Sequence, residues 1–248
     1  MDTHSAPFSS VALTWARVER LPAAAELALL GADEREQAAR LRFQRDRKRF
    51  LSRRVLLRRV LGAWLERDPA GLEFTREPGG RPWLPEAPRL GFNLSHSAGW
   101  ALVGVAEDLR VGVDLEARLP EGPLEPLARR ILAPAELRSW SGLPAAEQSP
   151  ALLRTWVRKE AILKATGEGL GIEPDRLSIG SIPDCENGPR TGLIQGRPNE
   201  EWAVFDLEPD PEGLLPPASV AAAGSNWRPE RLRPWSSPGS CAASPPAA

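Results

Sequence analysis

Three short stretches bring together residue types that can do chemistry with one another. The first is VGVDLE at 111–116. Side chains alternate along a strand, so Val111, Val113 and Leu115 face one side while Gly112, Asp114 and Glu116 face the other. Two carboxylates then stand about 7 Å apart at their Cα atoms, from two steps of about 3.3 Å. Such a pair repels itself unless a cation joins it. Hard oxygen ligands on a rigid strand suit Mg²⁺, which completes its shell with phosphate and water. The same pattern also describes a strand that leaves the core for a polar turn. The second stretch is WVRKEAILKATGEGL at 156–170. On a helix it sets Trp156, Glu160 and Lys164 one above another, with Lys159 beside them and Leu152 and Leu163 turning that stripe inward. Charges among core residues need partners. A metal bound by Glu160 and a phosphate near Lys164 would supply them; an exposed Glu–Lys pair is the plain alternative. The third stretch, FNLSHS at 92–97, holds His96, one of two histidines in the chain. It can donate to a phosphate or simply complete a turn. There is no G-x-S-x-G nucleophile elbow and no phosphate-cradling G-x-x-x-x-G-K-[ST] loop.

Composition narrows the setting. With 248 residues, 42% apolar and 26% charged, the chain can bury one large core or two small fused ones. No apolar run is long enough to span a membrane, and Glu26 and Asp33 interrupt the Ala/Leu-rich N-terminal run, so neither an anchor nor a signal peptide is expected. Cys185 and Cys241 lie far apart and suggest neither a disulfide framework nor a zinc cluster, which points to a reducing cytoplasm. Net charge is −1, yet between Arg35 and Arg59 eleven basic residues face only Glu36 and Asp46. That block is either a solvated helix face or a site for phosphates or an acidic partner. Of 32 Lys and Arg residues only Lys48, Lys159 and Lys164 are lysine. Where arginine is the default cation, two lysines five residues apart imply a site that wants a compact ammonium.

The positioning elements follow from periodicity. Residues 11–18 alternate as an opening strand. Helices are predicted over 22–43, broken at Gly31-Ala32-Asp33, and over 46–66, where one apolar stripe is surrounded by arginines. Residues 76–91 read as an extended Pro/Gly loop around Arg81. Trp100–Ala106 and Val111–Glu116 flank a polar turn and predict a β-hairpin. A helix over 124–140 restarts at Pro134, and another opens at Ser149-Pro150 and runs to Thr166. Strands are predicted near 176–180, 190–196, 201–207 and 218–223. A mobile loop is expected at Glu208–Pro217, and a disordered Ser/Pro/Ala tail from Ser236.

Taken in order, FNLSHS, VGVDLE and WVRKEAILKATGEGL resemble the signature motifs of the Sfp-type 4′-phosphopantetheinyl transferases, with Gly80-Arg81-Pro82 and DRKRFLSRRVLLR at 46–58 resembling that family's coenzyme A segments. The likeness runs from about residue 8 to residue 235. It implies an α/β (α+β) monomer, a pseudo-dimer of two similar halves, each a small antiparallel sheet packed with helices: 1–108, then 109–235 with the metal and catalytic motifs, then the tail 236–248. It implies Asp114, Glu116 and Glu160 as Mg²⁺ ligands, Glu160 and Lys164 as catalytic residues, and Arg49, Arg81, Ser95, His96 and Lys159 as coenzyme A contacts. Trp156 and Glu136 match further positions near the site. Position 81 often holds Lys in relatives. The implied reaction moves phosphopantetheine from coenzyme A to a serine of an apo acyl or peptidyl carrier protein in the cytoplasm, with neither nucleic acid nor membrane as partner. The rival readings are a coenzyme A-binding protein without transfer activity, or a basic module that docks nucleic acid through residues 35–59.

Overall fold

The computed structural model describes residues 9–168, 171–180, 182, 189–208, 213, 215–231 and 233–235. Strand β1 (Ser9–Arg17) leads to the short helices α1 (Ala24–Leu27) and α2 (Ala32–Ala39) and then to the long α3 (Gln44–Leu65). The break between α1 and α2 falls where glycine and acid invite one: the Glu34 carboxylate accepts from the Gly31 N–H at 2.9 Å and caps α2. A two-stranded ladder, β2 (Thr75–Arg76) with β3 (Pro82–Trp83), forms across the start of the 76–91 stretch expected to be loop. Next come β4 (Leu90–Ser97), β5 (Trp100–Glu107) and β6 (Val111–Leu115). Helices α4 (Leu124–Ile131), α5 (Pro134–Ser141) and α6 (Ala145–Thr166) follow, and then strands β7 (Leu177–Ser178), β8 (Arg190–Ile194), β9 (Glu201–Asp206), β10 (Ala218–Ala223), β11 (Trp227–Pro229) and β12 (Arg233–Pro234).

Two five-stranded sheets lie face to face. One has the order β11-β1-β5-β4, with β12 also on β1; the other has the order β6-β10-β9-β8-β7. Alternation along β5 explains the layering. Trp100, Leu102 and Ala106 enter the core between the sheets, where Val111, Val113, Leu115, Val220 and Ala222 meet them. Ala101, Val103 and Val105 face the other way, onto Leu56, Leu57, Val60 and Leu61 of α3. On the far side, Ala161, Ile162 and Ala165 of α6 pack on Val204 and Ala221 of the second sheet. Each sheet therefore carries its own long helix on its outer face.

The expected hairpin between 100–106 and 111–116 does not form. Both edges of β5 are taken, by β1 and β4, and β6 pairs instead with β10. The polar turn at 107–110 carries the chain from one sheet to the other, so β5 and β6 meet face to face. A Cβ on Gly104 would lie 2.7 Å from Val113 Cγ1. The true hairpin is β4–β5, closed by Ala98 and Gly99 at φ 47° and 84°, the handedness a two-residue turn requires. Helix α6 also begins earlier than expected, at Ala145 behind Pro144, leaving Pro150 inside its second turn. The last strands do not stay with the second half, because β11 and β12 return to β1. Half of the loop 208–217, the tail from 236 and both cysteines lie outside the described residues.

Candidate active site

The site forms where β4, β6, α6 and α3 converge. Strand β4 builds it by simple alternation. Phe92 and Leu94 face α3, so His96 emerges on that side as well, while Asn93, Ser95 and Ser97 turn toward β6. Each of those three stitches the halves together. Asn93 Oδ1 accepts from the Val113 N–H at 3.0 Å, Ser95 Oγ donates to Asp114 Oδ1 at 2.8 Å, and Ser97 Oγ donates to Glu116 Oε2 at 2.8 Å. Gly112 then lets α6 lie directly on β6, since a Cβ there would stand 2.0 Å from the Ala161 carbonyl oxygen and 2.4 Å from the Ala165 nitrogen. That close approach delivers Lys164, whose Nζ reaches Asp114 Oδ1 at 2.5 Å and Ser95 Oγ at 3.0 Å.

Asp114 is buried, and its second oxygen, Oδ2, has no hydrogen-bond partner. A buried carboxylate oxygen left unpaired is costly and marks a place where a cation belongs. Burial raises the Glu116 carboxyl, and the neighbouring Asp114 charge raises it further. Burial raises Glu160 too, with Lys164 opposing and Asp114 and Glu116 adding to the rise. All three carboxylates therefore feel one another. Among the described residues no three such side chains are drawn in to metal-holding distances. The all-oxygen donors, their mutual repulsion and the unpaired Oδ2 nonetheless fit a hard divalent cation.

On the other side of β4, Arg53 Nη1 lies 2.5 Å from His96 Nε2. Arginine can only donate, so the imidazole accepts at Nε2 and carries its proton on Nδ1. Partial desolvation and then the charges of Arg53, Lys164 and Arg49 bring His96 down to about 4. Arg49 donates to Glu19 at 3.0 Å, while its buried Nε has no partner. The cations Arg49, Arg53 and Lys164, with the neutral His96 beside them, thus adjoin the carboxylates.

Of the residues expected here, Asp114, Glu116, Glu160, Lys164, Ser95, His96 and Arg49 come together. Lys159 does not. It is fully buried, 2.5 Å from Glu136, which is equally buried, and it donates to the carbonyls of Ile131 at 2.7 Å and Pro174 at 3.0 Å. Successive helical residues point about 100° apart, so Glu160 and Lys159 serve different faces of α6. Glu136 and Trp156 belong with that interior rather than with the cluster: Glu136 accepts from the amides of Ala133 and Ile179, and Trp156 packs against the α4–α5 core. Arg81 also turns inward, onto backbone carbonyls. Arg53, Asn93, Ser97 and Glu19 escaped the sequence reading. The period of two in FNLSHS would have found Asn93 and Ser97.

Comparison with known proteins decides the family. Residues 110–216 match the 4′-phosphopantetheinyl transferase superfamily, and residues 15–108 match the 4′-phosphopantetheinyl transferase N-terminal family. The chain is 35% identical over 206 residues to the 4′-phosphopantetheinyl transferase HetI of Nostoc sp., covering 82% of each protein. This chain belongs to the 4′-phosphopantetheinyl transferase superfamily. It is also 28% identical over 198 residues to the transferase Sfp of Bacillus subtilis, covering 76% of this chain and 87% of Sfp. The boundary between the two family matches falls in the turn that passes from β5 to β6. The cluster therefore draws on both matched regions: Ser95 and His96 lie in the first, Asp114, Glu160 and Lys164 in the second.

Proposed function

We propose that this enzyme transfers the 4′-phosphopantetheine arm of coenzyme A to a serine hydroxyl of an apo acyl or peptidyl carrier protein, releasing adenosine 3′,5′-bisphosphate. The observation that carries the reading is the Ser95–Asp114–Lys164 triangle, with distances of 2.8, 2.5 and 3.0 Å, joined to two further carboxylates at the seam between the family's two regions. Asp114, Glu116 and Glu160 would hold Mg²⁺, and when bound it neutralises pyrophosphate charge and polarises the reacting phosphorus. The residues of the chain do the rest. Arg49, Arg53 and His96 form an anion site for coenzyme phosphate, with Arg53 and His96 already oriented by their mutual hydrogen bond. Glu160, whose carboxyl is raised by burial, accepts the serine proton as the serine oxygen bonds to phosphorus. The bond from that phosphorus to the leaving bisphosphate oxygen breaks, and the Lys164 ammonium offsets the charge that develops there.

The basic block does not favour the nucleic-acid alternative. Arg54 and Arg58 pair with Glu34, Arg59 with Glu26 and Arg40 with Glu36, and Arg47 donates to backbone carbonyls of α2 and the loop after it. Five of its eleven cations are thus engaged within the fold. Among the described residues no helix is long and apolar enough to cross a membrane. The test is incubation with coenzyme A, Mg²⁺ and a panel of apo carrier proteins, read by intact mass. A gain of one phosphopantetheine on the carrier is expected. No gain on any carrier, with coenzyme bound, would leave a coenzyme A-binding protein.

A further inference from the structure

Arg81 spends its guanidinium in an unexpected way. Nη1 donates to the carbonyls of Lys164 at 2.9 Å and Ala165 at 3.2 Å, and Nη2 donates to those of Phe92 at 3.0 Å and Val111 at 2.9 Å. All four terminal N–H bonds are used, so the two-pronged end of the guanidinium is not available to clamp a phosphate. The four acceptors sit on α6, β4 and β6, the elements that carry Lys164, Ser95 and Asp114. Phe92 and Val111 each lie three residues before the site residue of their strand. The Lys164 and Ala165 carbonyls belong to the last turn of α6, where helical geometry leaves them without partners, and a cation there is favoured by the helix dipole.

The loop around Arg81 is shaped to hold this position. Gly79 rests on the end of α6, where a Cβ would lie 2.1 Å from the Gly167 carbonyl oxygen, and Gly80 takes φ +83°. Pro82 keeps Arg81 extended, and the Glu77 N–H bonds to the Arg81 carbonyl at 2.8 Å. We infer that Arg81 is a positioning residue, a staple fixing α6, β4 and β6 in mutual register so that Lys164, Ser95 and Asp114 meet, and not a coenzyme contact. The catalytic consequence rests on the transferase reading above; the staple itself does not.

Arg81→Lys separates the alternatives. A lysine keeps the charge but presents a single ammonium that cannot span four carbonyls on three elements. The expected result is a fall in kcat of at least tenfold, with the coenzyme A dissociation constant from calorimetry changed less than twofold. In Arg81→Ala, added methylguanidinium should restore kcat in a saturable way without altering KM. A rise of tenfold or more in the coenzyme dissociation constant with kcat retained would make Arg81 a ligand contact and overturn the inference; so would wild-type behaviour of Arg81→Lys. Amide hydrogen exchange gives a readout independent of turnover: residues 92–97 and 111–115 should exchange faster in Arg81→Lys while α3 is unchanged. Unchanged exchange at those strands also counts against the staple. If the wild type transfers nothing, the transferase reading fails, and the exchange data still judge the staple.

Discussion

Lys164 works at the scale of a single ammonium. Its Nζ fits between Asp114 Oδ1 at 2.5 Å and Ser95 Oγ at 3.0 Å, in a gap closed by the packing of α6 on β6. Arginine carries more volume and a planar fork into that gap. Lys164→Arg should therefore keep the charge yet lower single-turnover transfer at least tenfold, about 1.4 kcal/mol in the barrier. Coenzyme affinity should change less, because Arg49, Arg53 and His96 remain. Wild-type turnover in the variant would reduce the lysine to a generic charge. His96 makes a second prediction at this scale. Held down to about 4 against an ordinary 6.5, it stays neutral in the folded protein as pH falls, while the unfolded chain takes up a proton first. Its contribution is therefore lost as pH drops through that window. A phosphate placed beside it reverses the sign by favouring the imidazolium. Coenzyme binding near pH 5.5 should take up a fraction of a proton, measurable by calorimetry in buffers of different ionisation enthalpy and absent in His96→Gln. Asp114, Glu116, Glu160 and Lys164 were legible in the sequence because alternation and helical spacing are local. The unpaired Asp114 Oδ2 and the Arg53–His96 contact were not, since each depends on which elements meet.

Elements decide what a charged residue is for. Helix α6 offers Lys159 and Glu160 side by side, and only the packing of α4, α5 and the turn at Pro174 shows that the lysine belongs to the interior. Removing one partner of a buried pair strands the other, typically at about 3–5 kcal/mol. Lys159→Met should cost about that much in denaturant unfolding, while coenzyme affinity of the folded protein is retained. Lost affinity with stability intact would instead put Lys159 at the ligand. Gly112 is the complementary case. Its missing Cβ is what brings the backbone of α6 onto β6, and the atoms it would strike, at 2.0 and 2.4 Å, are backbone atoms that cannot rotate away. Gly112→Ala should destabilise by about 1–3 kcal/mol or more and reduce transfer beyond what the loss of folded protein explains, because Lys164 is pushed off Asp114. Strands β8, β9 and β10 fall close to their expected ranges of 190–196, 201–207 and 218–223. The pairing of β6 was not legible in the sequence, because no local pattern records that β1 and β4 already occupy both edges of β5.

The whole molecule is closed by its C-terminal strands. Local patterns divide the chain at residue 108 into two successive halves, because nothing local says that residues near 230 pair with residues near 10. Yet β11 runs parallel to β1 with Ser9 opposite Trp227, and β12 pairs with Thr14 and Trp15. Trp227 is fully buried between the sheets and meets Phe205 edge to face at 4.9 Å. Through this return the second half covers the edge of the first sheet, away from the site, and ties down the other end of the interface that the site requires. A chain ended after Trp235 retains all of this, and the thirteen residues it loses are Ser, Pro, Ala, Gly and Cys with no large apolar group. A chain ended after Asn226 loses both strands and exposes the inter-sheet core. The first truncation should melt within a few degrees of the full chain and transfer at its rate. The second should be insoluble or lack a cooperative transition. Trp227→Ala, which keeps the strands but empties the core, should fall between them, at about 3–5 kcal/mol by urea unfolding. If the shorter truncation instead melts cooperatively near the full chain, the return to β1 contributes little and the two halves are held together by the rest of the inter-sheet core and the contacts of β4, β6 and Arg81.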